Sequence, residues 1–281
     1  MIRMYAAATS ETLPNGKRPG KTTRLPVTGA RIAALAIGVP ASLALIGLGG
    51  VTAVAAIGQG QFPISDTVPV SGGHLTAHLG GGDVELRQGA AGQATMTGTA
   101  QYTLVRSTFT AQRTADGVDF GYRCRFAIGN CGLNAAITVP AGTATSVYTD
   151  GGNATVTGTT GAVTLSSGGG NLTASHAAGN LTLNTDGGNV NGIAITAPRV
   201  TADSGGGDIL IEFTSAPDNV TVHTDGGNVT ILLPRSSRAF KLSASTDGGS
   251  VDDSTVSTSP HSQYTITATS GGGNITIREA P

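Results

Sequence analysis

Three carboxylates crowd one short stretch of the sequence, Asp203, Asp208 and Glu212, with Arg199 just upstream. Paired acids of this kind serve as proton donor and acceptor in polysaccharide-active enzymes built on parallel β-helices. Such enzymes usually wind three sheets and set a basic side chain beside the acids, and beyond Arg199 no such partner is evident. The five histidines (His74, His78, His176, His223, His261) are scattered, without HExxH spacing or a nearby Ser/Asp pattern. A second candidate chemistry is calcium, because Asp150, Asp186, Asp225 and Asp247 each precede a glycine pair. Gly168, Gly205 and Gly271 replace that acid in other copies, so a ladder of hard-cation sites would lack oxygens at those steps. Cys124 and Cys131 enclose six residues, with no histidine or third cysteine nearby to complete a zinc site. Outside the cytoplasm, two cysteines this close are expected to pair. No catalytic, metal or cofactor site is expected. The six Asn-x-Thr sequons (Asn153, Asn171, Asn180, Asn219, Asn228, Asn274) arise wherever an Asn turn meets a Thr-alternating strand.

Composition narrows the classes further. The 281 residues include 43 Gly, 40 Thr and no Trp, with a formal net charge of −1. Near-neutrality excludes a generic nucleic-acid binder, which needs excess Lys and Arg to displace counterions. Few aromatics weaken any reading that relies on stacked bases or sugars.

The charges are unevenly placed. Residues 1–31 carry six basic side chains and one acid, Glu11, whereas the remainder carries 10 basic and 16 acidic residues. Between Arg31 and Asp66 no side chain is charged. Ile32–Ile57 is long enough to span a bilayer as a tilted helix. The basic cluster before it places the N-terminus in the cytoplasm and everything past Gly58 outside. Cleavage after Ala53-Val54-Ala55 is the rival, and it too exports the rest of the chain. Leu25-Pro26-Val27-Thr28-Gly29 matches a sortase signal but sits at the wrong end of the chain.

From Thr149 a phrase recurs: Thr-Asp-Gly-Gly-Asn or Ser-Gly-Gly-Gly-Asn, closing at Asn153, Asn171, Asn189, Asp208, Asn228, Ser250 and Asn274. Successive copies step by 18, 18, 19, 20, 22 and 24 residues, with an outlying copy at Leu79–Asp83. Each period holds two alternating segments, such as Leu181–Leu183 and Asn228–Leu233, with Val, Ile or Leu on one face and Thr on the other. The spacing predicts an all-β fold: a β-solenoid (β-helix-like) ectodomain with coils of about 18–24 residues, preceded by one N-terminal transmembrane helix. The paired glycines are read as positive-φ corners. The Asn/Asp/Ser residues are read as a column that satisfies its own turns and bonds from coil to coil. The rival is an antiparallel meander closed by Asp-Gly hairpins. The divisions expected are 1–31 cytoplasmic tail, 32–57 transmembrane helix, 58–69 linker, 70–148 entry module with the cysteine pair, and 149–281 regular solenoid.

Asn130–Thr143, Thr149–Gly158 and Gly161–Thr173 together resemble bacterial β-strand-repeat domains of unknown function, often labelled adhesins, over roughly Val70–Ile277. The resemblance implies a β-helix-like domain at the cell envelope and supplies no catalytic residues. The leading expectation is a single-pass, non-catalytic protein acting by contact with an unknown surface or membrane-protein partner, with the bilayer engaged through Ile32–Ile57 and no nucleic acid. A sensory ectodomain and a polysaccharide-active enzyme are the alternatives. The last copy, Gly271–Ile277, is expected to end the stack, shielded by Arg278–Pro281 or by self-association.

Overall fold

A computed structural model describes residues 59–70, 73–103, 105–124, 131–236 and 238–280; the basic head and the Ile32–Ile57 span lie outside the described residues. Among the described residues no helix is long and apolar enough to cross a membrane. The described chain is all-β, with sheets of eleven and ten strands.

Residues read as linker form the long edge strand β1 (Gln59–Pro69). β2 (His74–Leu79) and β3 (Val84–Gln88) flank the outlying glycine phrase, and β4 (Gln93–Thr103) and β5 (Thr108–Arg113) follow. β6 (Gly117–Arg123) and β7 (Gly132–Val139) flank the cysteine pair. The regular laps are β8 (Ala144–Thr149) with β9 (Ala154–Thr157), β10 (Val163–Ser167) with β11 (Leu172–Ser175), and β12 (Leu181–Thr185) with β13 (Val190–Ile195). They continue as β14 (Arg199–Ser204) with β15 (Ile209–Phe213), then β16 (Asn219–Thr224) with β17 (Val229–Leu233). Last come β18 (Lys241–Thr246), β19 (Val251–Asp252), β20 (Thr265–Ser270) and β21 (Ile275–Glu279).

The first strand of each lap lies in the ten-stranded sheet and the second in the eleven-stranded sheet. Strands of successive laps pair parallel and in register, Leu165 on Leu183 on Ala202 on Val222, so the antiparallel meander is not what forms. Apolar residues of both sheets point inward to one continuous core. Outward on the ten-stranded sheet, Thr164, Thr182, Thr201, Thr221 and Thr267 fall in one line across neighbouring strands. β-branched threonine favours the extended backbone while its hydroxyl stays hydrated. An extra residue in one lap is absorbed in β13, where the register slips between Gly192 and Ile195 and Ala194 takes a φ of 53°.

Spatial order departs from chain order at both ends. The β2/β3 lap lies between the β6/β7 and β8/β9 laps, although it precedes both in sequence. At the other end β20 sits between β16 and β18, and β21 between β17 and β19. The expectation that Gly271–Ile277 ends the stack is therefore corrected: that lap is internal, and Lys241–Asp252 is outermost. The first end is closed differently. There β1 pairs antiparallel with β4, β4 with β7, and β5 with β6, and Pro63 and Pro69 remove donors from the β1 edge.

The glycine corners also need correction. Of the glycines in the recurring phrase, only Gly82 has a left-handed φ, 129°. What demands glycine is close approach between laps. A Cβ on the last glycine of each corner, Gly170, Gly188, Gly207, Gly227 or Gly273, would run into the backbone carbonyl of the matching glycine one lap away. The glycines just before them, Gly169, Gly187 and Gly206, face open space.

Candidate contact surface

The glycine corners line up along one edge of the stack, and the chemistry-bearing residues gather there. Taken in spatial order, the first two residues of each corner read Thr149-Asp150, Ser167-Gly168, Thr185-Asp186, Ser204-Gly205, Thr224-Asp225, Ser270-Gly271, Thr246-Asp247. Thr-Asp and Ser-Gly thus alternate without a break, but only when the last two laps are exchanged as the strand order requires. The glycine at every second step is a steric necessity: a Cβ on Gly168, Gly205 or Gly271 would collide with the carbonyl of Asp150, Asp186 or Asp225. It also keeps the aspartates two laps apart, about 9.6 Å at the usual strand spacing, which limits their mutual repulsion.

Below the aspartates runs a buried column of hydroxyls, Thr149, Ser167, Thr185, Ser204, Thr224 and Ser270, none more than 5% exposed. Each donates to the last glycine carbonyl of the adjoining lap and accepts from the last glycine N–H of its own. Ser204 Oγ donates to Gly188 O at 2.8 Å and accepts from Gly207 N at 2.9 Å; Ser270 Oγ does the same with Gly227 O and Gly273 N, both at 2.8 Å. In the sequence these residues stand only as the opening of the repeated phrase. The signal that could have found them is their restriction to Ser and Thr at an otherwise apolar, inward register. Ser204→Ala leaves a buried carbonyl and a part-buried N–H unpaired, so it is expected to cost about 1–3 kcal/mol of stability. Thermal unfolding checks this; a loss within error would remove the column from the account.

The predicted Asn/Asp/Ser column is outside; its bonds run mainly from backbone N–H to side chain, and the Asn153 and Asn228 amides also donate to the Oδ1 of Asp83 and Asp208, at 3.0 and 3.1 Å. The N–H of each member is donated to the Oδ1 of its neighbour, Asn171 to Asn153 at 2.9 Å, Asn189 to Asn171 at 2.8 Å, Asp208 to Asn189 at 2.8 Å and Asn228 to Asp208 at 2.7 Å. Asn274 donates to Asn228 and Ser250 to Asn274. The column extends past Asn153 to Asp83 and Asn134. At the far end Ser250 turns its hydroxyl back onto Asn274 Oδ1, 3.0 Å away.

Cys124 and Cys131 are disulfide-bonded, with Cα atoms 6.1 Å apart. They pin the corner of the β6/β7 lap, where the glycine phrase is missing. Beside them Tyr122 is buried, its hydroxyl donating to Gln101 O at 2.8 Å. Burial pushes its phenol above the ordinary range.

The acids singled out as enzyme candidates do not converge. Asp203 points out of the ten-stranded sheet, Glu212 out of the eleven-stranded sheet, and Asp208 belongs to the corner column. Among the described residues no three His, Cys, Asp or Glu side chains form a metal-ligand set. Two features stand out on the corner edge instead. Tyr148, 38% exposed, stacks on His78 with ring centroids 4.8 Å apart and planes 8° from parallel, in a recess shared with Arg123 and Asp150. Four laps away, His223 is held between Thr269 Oγ1 at 2.7 Å and Asp225 Oδ1 at 3.1 Å. Next to it, Asp186, Asp203 and Asp225 surround the notch left by Gly205. Tyr148, Asn184, Asp203 and His223 are successive occupants, with Ser166, of one register line.

The family model for Toastrack DUF4097 matches residues 59–278. The chain belongs to that family. Its matched span takes in β1 and every lap of the Toastrack stack. Among solved structures, a "putative cell adhesion protein" from Clostridium sporogenes is 16% identical, covering 78% of this chain and 100% of that one with a TM-score of 0.37. A "putative adhesin" from Bacteroides fragilis is 14% identical over 78% and 97% of the two chains, TM-score 0.40. One from Parabacteroides distasonis is 13% identical over the same shares, TM-score 0.40. Comparison with curated proteins finds no match.

Proposed function

We propose that this chain is a membrane-anchored, extracytoplasmic β-solenoid that acts as a non-catalytic, adhesin-like contact module. Ile32–Ile57 is its anchor and the glycine-corner edge its contact surface. The observation that carries the reading is the corner edge itself. A rigid double hydrogen-bonded spine, one column buried and one exposed, holds a line of outward polar side chains at a fixed pitch. The exposed His78–Tyr148 stack sits on the same edge with Arg123 and Asp150 beside it. Side chains fixed in this way lose little conformational entropy on contact, so a modest patch can bind usefully. Exposed aromatics next to charges are also the residue types that dominate binding hot spots. The carboxylates offered for catalysis lie on different faces of the stack, which is why a contact role is preferred to turnover.

The test is attachment of cells displaying the full chain, compared with cells displaying Tyr148→Ala and Asp150→Ala together. Surface labelling must show equal display. The double variant is expected to lose most attachment, on the order of tenfold for a hot-spot pair. Unchanged attachment, or failure of an external protease to reach the displayed chain, would refute the assignment.

A further inference from the structure

One gap in the corner edge differs from the others. Continuing the register of β2 with β6 and with β8 sets Gly80 between Arg123 of one lap and Asp150 of the other. The gaps at Gly168, Gly205 and Gly271 each lie between two aspartates instead. They differ in packing as well. A Cβ at those three positions would fall 2.1–2.2 Å from a neighbouring carbonyl oxygen, so the stack itself requires glycine there. A Cβ on Gly80 would meet only ordinary contacts, Cys124 Sγ and Tyr122 Cδ1 at 3.7 Å and Asp150 Oδ2 at 3.9 Å, and its φ is not left-handed. Packing does not demand glycine at 80. What the missing side chain leaves is the floor of a recess of about 320 Å³. The walls of this recess are set before any ligand arrives. His78 and Tyr148 cover each other's inner faces, which holds an imidazole and a phenol along one side. Arg123 ends β6 and is followed at once by Cys124, whose disulfide to Cys131 closes that corner. Arg123 and Asp150 stand two laps apart, about 9.6 Å between strand axes, and form no ion pair with each other. Among the described residues neither side chain has a hydrogen-bonding partner.

We infer that this recess binds one carboxylated sugar ring, a pyranose with a carboxylate at one end and a vicinal diol at the other. The inference rests on the contact reading of the corner edge and names the ligand of that edge. A single guanidinium is matched by a single carboxylate, which its planar fork receives through two parallel hydrogen bonds. A phosphate dianion would leave one charge unmatched and facing Asp150. The Asp150 carboxylate can only accept, and two adjacent hydroxyls give it two donors. The imidazole and the phenol each donate or accept, which suits the remaining ring hydroxyls. A peptide C-terminus would also satisfy Arg123, but it brings no diol to Asp150, and covering an ionised group without donors is costly. The volume lies at the lower end of small-molecule clefts, enough for one ring. With few contacts, all near solvent, a dissociation constant on the order of 1 mM is expected.

The test is a ligand-observed NMR titration of the full chain, held in a detergent without a sugar headgroup. The probes are glucuronic acid, galacturonic acid, glucose and cyclohexanecarboxylate. The tighter of the two acids is expected to saturate with a midpoint near 1 mM. Glucose lacks the carboxylate and cyclohexanecarboxylate lacks the hydroxyls, so each should bind at least about tenfold more weakly. Arg123→Gln should weaken the acid by at least about tenfold and leave glucose unchanged. Gly80→Leu fills the floor while keeping Arg123 and Asp150, and should abolish binding. Unchanged melting shows that each variant is folded, and Arg123→Gln, at an exposed side chain, carries the test if Gly80→Leu does not fold. No binding of either acid by 20-fold above the expected midpoint, equal binding of cyclohexanecarboxylate, or an Arg123→Gln chain that binds like the wild type would each overturn the proposal. Loss of cell attachment in the Tyr148→Ala, Asp150→Ala chain with no binding of either acid would overturn the sugar and keep the contact surface. Acid binding by a chain whose attachment ignores those two residues would do the reverse.

Discussion

Gly207→Ala is expected to lower the melting temperature by roughly 6–12 °C, while Gly206→Ala, one residue away, leaves it unchanged or slightly raised. The added methyl at 207 would lie 2.5 Å from the carbonyl carbon of Gly188 and 2.8 Å from the N of Asn189. Both are backbone atoms locked in the lap-to-lap ladder, so neither can turn aside. Overpacking of this kind costs about 3 kcal/mol or more, and for a domain of some 220 residues each kcal/mol is worth about 2–4 °C. At 206 nothing lies within 4 Å and the backbone is not left-handed. There the methyl only restricts the unfolded chain, a gain of about 0.4–1 kcal/mol. Paired melts of the two variants check the claim. Equal effects would mean that the corners need glycine for its backbone freedom and that the laps do not approach this closely.

Ending the chain after Gln263 is expected to unravel two laps, although it removes the strands of only one. Among the described residues β20 and β21 are the sole strand partners of β18 and β19. Without them Val220, Val222, Val229 and Ile231 also lose the cover on one side, which forfeits roughly 3–6 kcal/mol, about half of what full burial supplies. The orphaned lap cannot simply drop one step onto β16/β17. That move would seat Asp247 over Asp225, at the step where a Cβ on Gly271 collides with the Asp225 carbonyl. Hydrogen exchange should show residues 238–263 unprotected in the truncated chain, with the laps from β8 to β15 still protected. Protection retained over 241–252 would mean that the stack follows chain order.

Much of this fold is legible in the residues. The Gly-rich phrase at near-constant spacing gives the laps, and Val/Thr alternation gives the faces. The Asn153-to-Asn274 column follows from stacking like turns on like turns. Three things are not legible there. The need for Gly170 and Gly207 is hidden, because a glycine pair looks the same whether it turns a corner or clears a neighbour. The role of Ser204 and Thr224 is hidden because a hydroxyl at a corner normally faces water, and only lap stacking buries it. The inserted laps at 74–88 and 265–279 are non-local, and strand pattern carries no information about which neighbour a strand chooses. One trace of the exchange was nonetheless present. Thr-Asp and Ser-Gly alternate from Thr149 to Thr224, then repeat Thr-Asp at Thr246 before Ser-Gly at Ser270. Exchanging the last two laps repairs the alternation. The contact surface was less legible still, since His78 and Tyr148 are 70 positions apart and meet only because the β2/β3 lap slots beneath β8/β9.

Thiol mapping of the final laps tests the central claim most directly. Thr230 lies beside Thr276, and Thr276 beside Asp252, all on the outer face of one sheet. Cysteine pairs at 230 and 276, and at 276 and 252, should therefore be joined by a short bifunctional thiol reagent, with the linked peptides identified by mass spectrometry. A pair at 230 and 252, two strands apart at about 9.6 Å, should remain unlinked. Efficient joining of 230 to 252 with none of 230 to 276 would contradict the inserted lap and the spine built upon it.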